Sequence, residues 1–157
     1  MGLFSFLKKA GAKVFKGRKA EEEQHLETDA EKDVHAQELF DFVKAMGFDV
    51  TGLKVRVEGD KVTLGGEVPS QTEKEKIILA VGNVEGVGSV EDTLSVVVPA
   101  PEAQFYTVQS GDSLSKIAKE FYGNANAYNQ IFEANRPMLK DVDHIYPGQV
   151  LRIPPQA

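Results

Sequence analysis

The chain of 157 residues contains no cysteine. That excludes disulfides, thiolate metal sites and cysteine nucleophiles within it, and no bacterial lipoprotein anchor is expected. No apolar run is long enough to span a bilayer. Positive charge is in deficit, with 18 Lys and Arg against 24 Asp and Glu and a net charge of −6. Nucleic acid is therefore not expected as the main partner, because phosphate binding needs a basic surface. The start, Met1-Gly2-Leu3-Phe4-Ser5-Phe6-Leu7-Lys8-Lys9, lacks the charged segment, apolar stretch and small-residue cleavage site of a signal peptide. Phe6 also stands where myristoylation needs Ser or Thr. These absences predict a cytoplasmic protein. His25 and His35 are not at ligand spacing on one helical face, and His144 lies far along the chain, so no zinc site is expected.

What is present reads as one large or two small globular domains. The last third is the most informative. It opens with Phe105-Tyr106-Thr107-Val108-Gln109-Ser110-Gly111-Asp112-Ser113-Leu114 and closes with Ile145-Tyr146-Pro147-Gly148-Gln149-Val150-Leu151-Arg152-Ile153-Pro154. Each end predicts a short strand beside a turn, with Gly111 in the turn and Asp112 or Ser113 capping the next helix. Leu114, Ile117, Ala118 and Phe121 recur at helical spacing, as do Tyr128, Ile131 and Phe132. The order is strand, helix, helix, strand. Both ends carry the signature of the LysM family, which the segment closely resembles.

Gly111-Asp112-Ser113-Leu114 also spells the GDSL motif of a family of lipases and esterases, with Asp141-x-x-His144 as its partner DxxH. Such hydrolases place the serine on an elbow over a large α/β sheet, with a base and an orienting group brought to it. One small module leaves no room for that sheet. No enzymatic activity is expected.

Upstream, residues 1–19 carry Phe4, Leu7, Ala10, Val14 and Phe15 as one apolar stripe among Lys8, Lys9, Lys13, Lys16, Arg18 and Lys19. The stripe predicts an amphipathic helix ended by Gly11. Docking on the chain's own first domain is the expectation, and an anionic membrane surface is its rival. Residues 20–29 form an acidic linker around Glu21-Glu22-Glu23. From 30 to 98 the pattern predicts a helix to Met46 stopped by Gly47, strands over 53–57 and 61–68, a helix capped by Ser70 with Ile77, Ile78 and Val81 inward, and a strand over 87–98. Residues 99–104 are a proline-containing linker, and 105–155 complete the chain. The order αββαβ, with Val62-x-Leu64-x-Gly66-x-Val68 and Val84-x-Gly86-Val87-x-x-Val90, resembles a BON domain. The fold class is thus α+β, an αββαβ unit followed by a βααβ LysM unit.

The layout, from Met-Gly-Leu-Phe to Arg152-Ile153-Pro154, resembles the family of small cytoplasmic potassium-binding proteins of enteric bacteria, most weakly in the acidic linker. The resemblance implies K⁺ binding with compaction and a role in ionic or osmotic stress. Carbonyls that replace its hydration shell suit K⁺, whereas carboxylate cages suit Ca²⁺, and no EF-hand-like loop occurs here. Helix ends supply unpaired carbonyls at the negative pole of the dipole. Two glycine-flanked candidates are Ala10-Gly11-Ala12 and Val81-Gly82-Asn83-Val84-Glu85-Gly86-Val87. By resemblance, the ligands are main-chain carbonyls of Leu7, Ala10, Ala12, Gly82, Val84 and Val87. Two rivals stand beside this. LysM domains commonly bind N-acetylglucosamine polymers such as peptidoglycan, which would engage Gly111, Asp112, Ser113, Leu114, Asn135, Arg136, Pro137 and Met138. Some BON domains associate with phospholipid, which would engage the basic N-terminal segment. A monomer is expected, with K⁺ as the ligand and a further protein partner allowed.

Overall fold

The computed structural model of the protein describes residues 2–6, 11–15 and 28–155. Strand β1 (Gly2–Ser5) precedes helix α1 (Asp29–Ala45), strands β2 (Thr51–Glu58) and β3 (Lys61–Ser70), helix α2 (Gln71–Gly82) and strand β4 (Ser89–Val98). The second unit comprises β5 (Gln104–Thr107), α3 (Leu114–Tyr122), a 3₁₀ turn (Ala125–Ala127), α4 (Tyr128–Ala134) and β6 (Val150–Ile153). The α+β class and the order of elements from α1 onward agree with the sequence pattern.

Four strands form the first sheet in the order β1-β4-β3-β2. The β2–β3 hairpin is antiparallel, β3 and β4 run parallel through the α2 crossover, and β1 adds antiparallel to β4. Alternation along β3 and β4 turns Val62, Leu64, Val68, Val90 and Leu94 inward. They meet Leu39 and Val43 of α1 and Ile77, Ile78 and Val81 of α2, all fully buried. Truncating Ile78 to alanine would remove buried methyl groups and leave a cavity, so a loss of about 2–5 kcal/mol is expected in denaturant unfolding.

Local chemistry sets the helix ends. Thr28 and Glu31 form a reciprocal capping box on α1, with the Glu31 N–H donating to Thr28 Oγ1 at 3.1 Å. Ser70 caps α2 as expected, accepting from the Glu73 N–H at 3.2 Å. The Glu73 carboxylate accepts instead from the Asp49 N–H at 2.8 Å, tying α2 to the loop before β2. Lys74 lies 3.2 Å from the buried Asp92 on β4, an ion pair without hydrogen-bond alignment.

The N-terminal segment corrects the amphipathic-helix expectation where it is described. Residues 2–5 are a strand, and their main-chain groups are taken up by β4. A sheet edge with unpaired donors and acceptors outweighs a helical stripe whose first turn has no cap. Phe4, Phe6 and Val14 pack against the first core and Phe15 enters it, 5.1 Å edge-on from His35. His25 lies outside the described residues.

In the second unit β5 and β6 pair antiparallel, and Leu114, Ile117, Ala118, Ile131, Leu139 and Leu151 make a separate core. The cap of α3 is Ser113, whose Oγ accepts from the Lys116 N–H at 3.2 Å. Asp112 serves the turn instead: its carboxylate accepts from the Tyr106 O–H at 2.5 Å and the Gln109 N–H at 2.8 Å.

These bonds, the Tyr106 hydroxyl first, hold the Asp112 carboxyl below the usual aspartate range, and the same bond pushes the Tyr106 phenol up to about 12. The depressed acid stabilises the fold above its unfolded pKa, and that contribution is lost as pH falls through the folded value. The raised phenol adds stability present below its unfolded pKa and lost as pH rises toward about 12. Tyr106→Phe is therefore expected to make acid unfolding of this unit begin at higher pH, as read by circular dichroism across a pH series.

Candidate metal centre

Helix α2 ends at Gly82, and its last carbonyls lack intrahelical donors. The following residues turn back sharply. The Asn83 N–H donates to the Leu79 carbonyl at 3.0 Å, Val84 to Val81 at 3.1 Å, and Val87 to Val84 at 3.1 Å. Gly88 and Ser89 then donate to the Asp60 carbonyl at 2.8 and 3.2 Å, which seats the end of the loop on the β2–β3 turn. Val84 and Val87 have no exposed surface, so the loop hangs from its own side chains.

Against this loop lies the N-terminal segment. Ala12 and Val84 form a parallel bridge, in which the Ala12 N–H donates to the Asn83 carbonyl at 3.1 Å and the Glu85 N–H donates to the Ala12 carbonyl at 2.9 Å. The Phe6 N–H donates to the Gly88 carbonyl at 2.9 Å. Two glycines make the approach possible. A Cβ on Gly11, at φ 125°, would stand 1.8 Å from the Asn83 carbonyl oxygen. One on Gly82 would stand 2.1 Å from the Phe6 ring.

Of the six carbonyl positions taken from the sequence, Ala12, Gly82, Val84 and Val87 thus lie on two strands of main chain in direct contact. Leu7 and Ala10 fall outside the described residues. The Ala12 and Val84 carbonyls each accept one hydrogen bond and keep a second lone pair. Among the described residues, no donor reaches the Gly82 or Val87 carbonyl. No group of three or more His, Asp or Glu side chains is clustered for a metal among the described residues. The donor set here is main-chain oxygen, the chemistry that suits a large, weakly hydrated monovalent cation. The helix that Gly11 was expected to end falls on residues 7–10, outside the described residues, and Gly11 itself passes close over Asn83.

The eight positions of the carbohydrate reading have mixed fates. Leu114 is in the core and Ser113 caps α3. The Gly111 carbonyl accepts from Lys116 Nζ at 2.9 Å. Asn135 is buried and brackets Arg152 in β6, its Oδ1 accepting from the Arg152 N–H at 2.8 Å and its Nδ2 donating to the Arg152 carbonyl at 3.0 Å. Arg136 pairs with Glu133 at 3.3 Å and lies over the Phe132 ring. Pro137 follows a cis peptide, and Met138 packs against both cores. Asp112 is engaged as described above.

Contacts that sequence patterns did not indicate join the units. Arg152 Nη2 and Nε lie 2.8 and 3.0 Å from Glu75 Oε1, with both side chains almost fully buried. The other Glu75 oxygen accepts from Gln71 at 3.0 Å and from the Ala103 N–H of the linker at 2.9 Å. Burial and the Arg152 charge lower the pKa of nearby Lys76. The rings of Phe4 in β1 and Phe105 in β5 meet at a 35° tilt with centroids 5.5 Å apart. A further junction is Asn83, whose side chain binds Val150 of β6. Single charged or amide residues carry no periodicity, and only their burial and partners mark them.

The fold defines a class. The chain matches the family model for the BON domain over residues 32–98 and that for the LysM domain over residues 106–154. It belongs to the family of two-domain BON–LysM proteins. Within it, the chain is similar to the Potassium binding protein Kbp of Escherichia coli O6:H1 (strain CFT073), with 48% identity over 155 residues, 98% of this chain and 99% of that protein. It is also 36% identical over 113 residues to an uncharacterized protein of Deinococcus radiodurans, covering 65% of this chain and 44% of that one. No helix among the described residues is long and apolar enough to cross a membrane.

Proposed function

We propose that this chain binds K⁺ through main-chain carbonyls of residues 7–12 and of the loop after α2, and that it acts as a cytoplasmic, monomeric K⁺ sensor or buffer in ionic stress. The observation that carries this is the juxtaposition of Ala12 with Asn83–Glu85, which puts carbonyl-bearing main chain from two segments side by side. Near full-length similarity to a protein named for potassium binding supports it. Leu7 and Ala10 complete the proposed set with Ala12, Gly82, Val84 and Val87. Segment 1–19 belongs with the 30–98 unit in this reading, and 105–155 docks on it when the ion is bound. No catalytic role is proposed.

Binding to the folded state raises stability by mass action, by about 2.7 kcal/mol at a hundredfold excess over Kd. Calorimetric titration and thermal melts with KCl are expected to show a saturable response. NaCl should be far less effective, because the carbonyls would have to close around a smaller ion. Scattering should report a smaller radius of gyration with K⁺. Equal thermal shifts from K⁺ and Na⁺ at matched ionic strength would overturn the proposal.

A further inference from the structure

We infer that Asn83 is the positioning residue that couples the ion loop to the second domain, its side-chain amide serving β6 as a missing neighbouring strand. The inference rests on the potassium reading above. In β6, Val150 and Arg152 alternate with Leu151 and Ile153, so their main-chain groups turn away from β5. That outer edge is buried, and each of its residues meets one asparagine amide. Asn135, from the same unit, takes Arg152. Asn83, from the other unit, takes Val150: its Oδ1 accepts from the Val150 N–H at 2.9 Å and its Nδ2 donates to the Val150 carbonyl at 2.8 Å. An amide matches a peptide group in offering one acceptor and a donor side by side, which neither Asp nor Leu can do.

The same residue lies in the ion loop. The Asn83 carbonyl accepts from the Ala12 N–H at 3.1 Å and, at 3.4 Å, from the Tyr146 hydroxyl of the second unit. Its Nδ2 also donates to the Leu79 carbonyl at 2.9 Å, so the amide plane is held to the end of α2. One residue therefore touches the N-terminal segment, α2 and β6, and only 6% of its surface is exposed. An ion that fixes the main chain at 82–87 fixes the amide that β6 needs. By reciprocity, seating β6 raises ion affinity by the same factor.

The test is a K⁺ titration of the full chain by calorimetry and by amide resonances. In the wild type the Val150 amide is expected to move with K⁺ at the same midpoint as Val84 and Glu85. In Asn83→Ala, K⁺ affinity should fall about tenfold or more, and the Val150 amide should no longer follow the ion. Tyr146→Phe, which removes one hydroxyl, should keep the fold and weaken K⁺ by a few-fold, which decides the matter if Asn83→Ala does not fold. Tyr122→Phe, which breaks a bond to the Pro154 carbonyl within the second unit alone, should lower that unit's stability and leave K⁺ affinity unchanged. A folded Asn83→Ala chain with wild-type affinity, or a Val150 amide that still tracks K⁺ in it, overturns the inference alone. So does an unchanged Tyr146→Phe chain where Asn83→Ala is unfolded. A wild-type chain that does not titrate with K⁺ overturns the potassium reading and this inference with it.

Discussion

Gly11→Ala should abolish the response to K⁺. The added methyl would stand 1.8 Å from the Asn83 carbonyl oxygen and 2.7 Å from its carbon. Both are main-chain atoms of the loop after α2, so no rotamer change relieves the clash. The φ of 125° is also a region that side chains disfavour. Overpacking costs roughly 1–3 kcal/mol and backbone strain another 1–3 kcal/mol, so the segment 11–15 is expected to leave the loop before the loop deforms. Phe15 and the bridge at Ala12 go with it. The expected result is a lower melting temperature in Na⁺ and no further rise on exchange to K⁺. Gly82→Val should act more mildly, because the atoms it meets are the far end of the Phe6 ring, which can swing out. A Gly11→Ala chain that keeps the wild-type K⁺ shift would show that the ion binds elsewhere.

Glu75→Ala is expected to lower stability by about 3–5 kcal/mol, and Arg152→Ala by a similar amount, because each leaves the other charge buried without its partner. The pair is 3% and 7% exposed, far from the regime in which surface ion pairs count for little. Loss of Glu75 also strands the Gln71 amide and the Ala103 N–H, so the linker and β5 should loosen together. The radius of gyration should rise even in saturating K⁺. Arg152 also lies over the Ala134 carbonyl, at 3.3 Å through Nη1, so its loss should destabilise the second unit on its own account. Replacing both residues with apolar ones of similar volume should recover part of the loss. Unfolding is best followed with a probe in each unit, since two domains need not melt as one. A Glu75→Ala chain as stable as the wild type would mean that the two units are not held by this pair.

The sequence by itself determined the elements and their inward faces. Alternation at Val62, Leu64 and Val68 and helical spacing at Ile77, Ile78 and Val81 are local signals, and all six side chains are buried. Ser70 and Ser113 were legible as caps for the same reason, since a cap acts within one turn of its own residue. The LysM unit was legible through motifs at both its ends, and the BON unit through its valine and glycine runs at 62–68 and 84–90.

Only the tertiary structure decided the rest. A stripe of Phe4 and Leu7 reads as a helix face, yet residues 2–5 are a strand because β4 has a free edge that a local pattern cannot report. Gly11 and Gly82 also let main chain and an aromatic ring pass within contact distance, which no local pattern reports. Asn83, Glu75 and Arg152 carry no pattern at all. Their partners lie 67 and 77 residues away, and what singles them out is the cost of burying an amide or a charge without one.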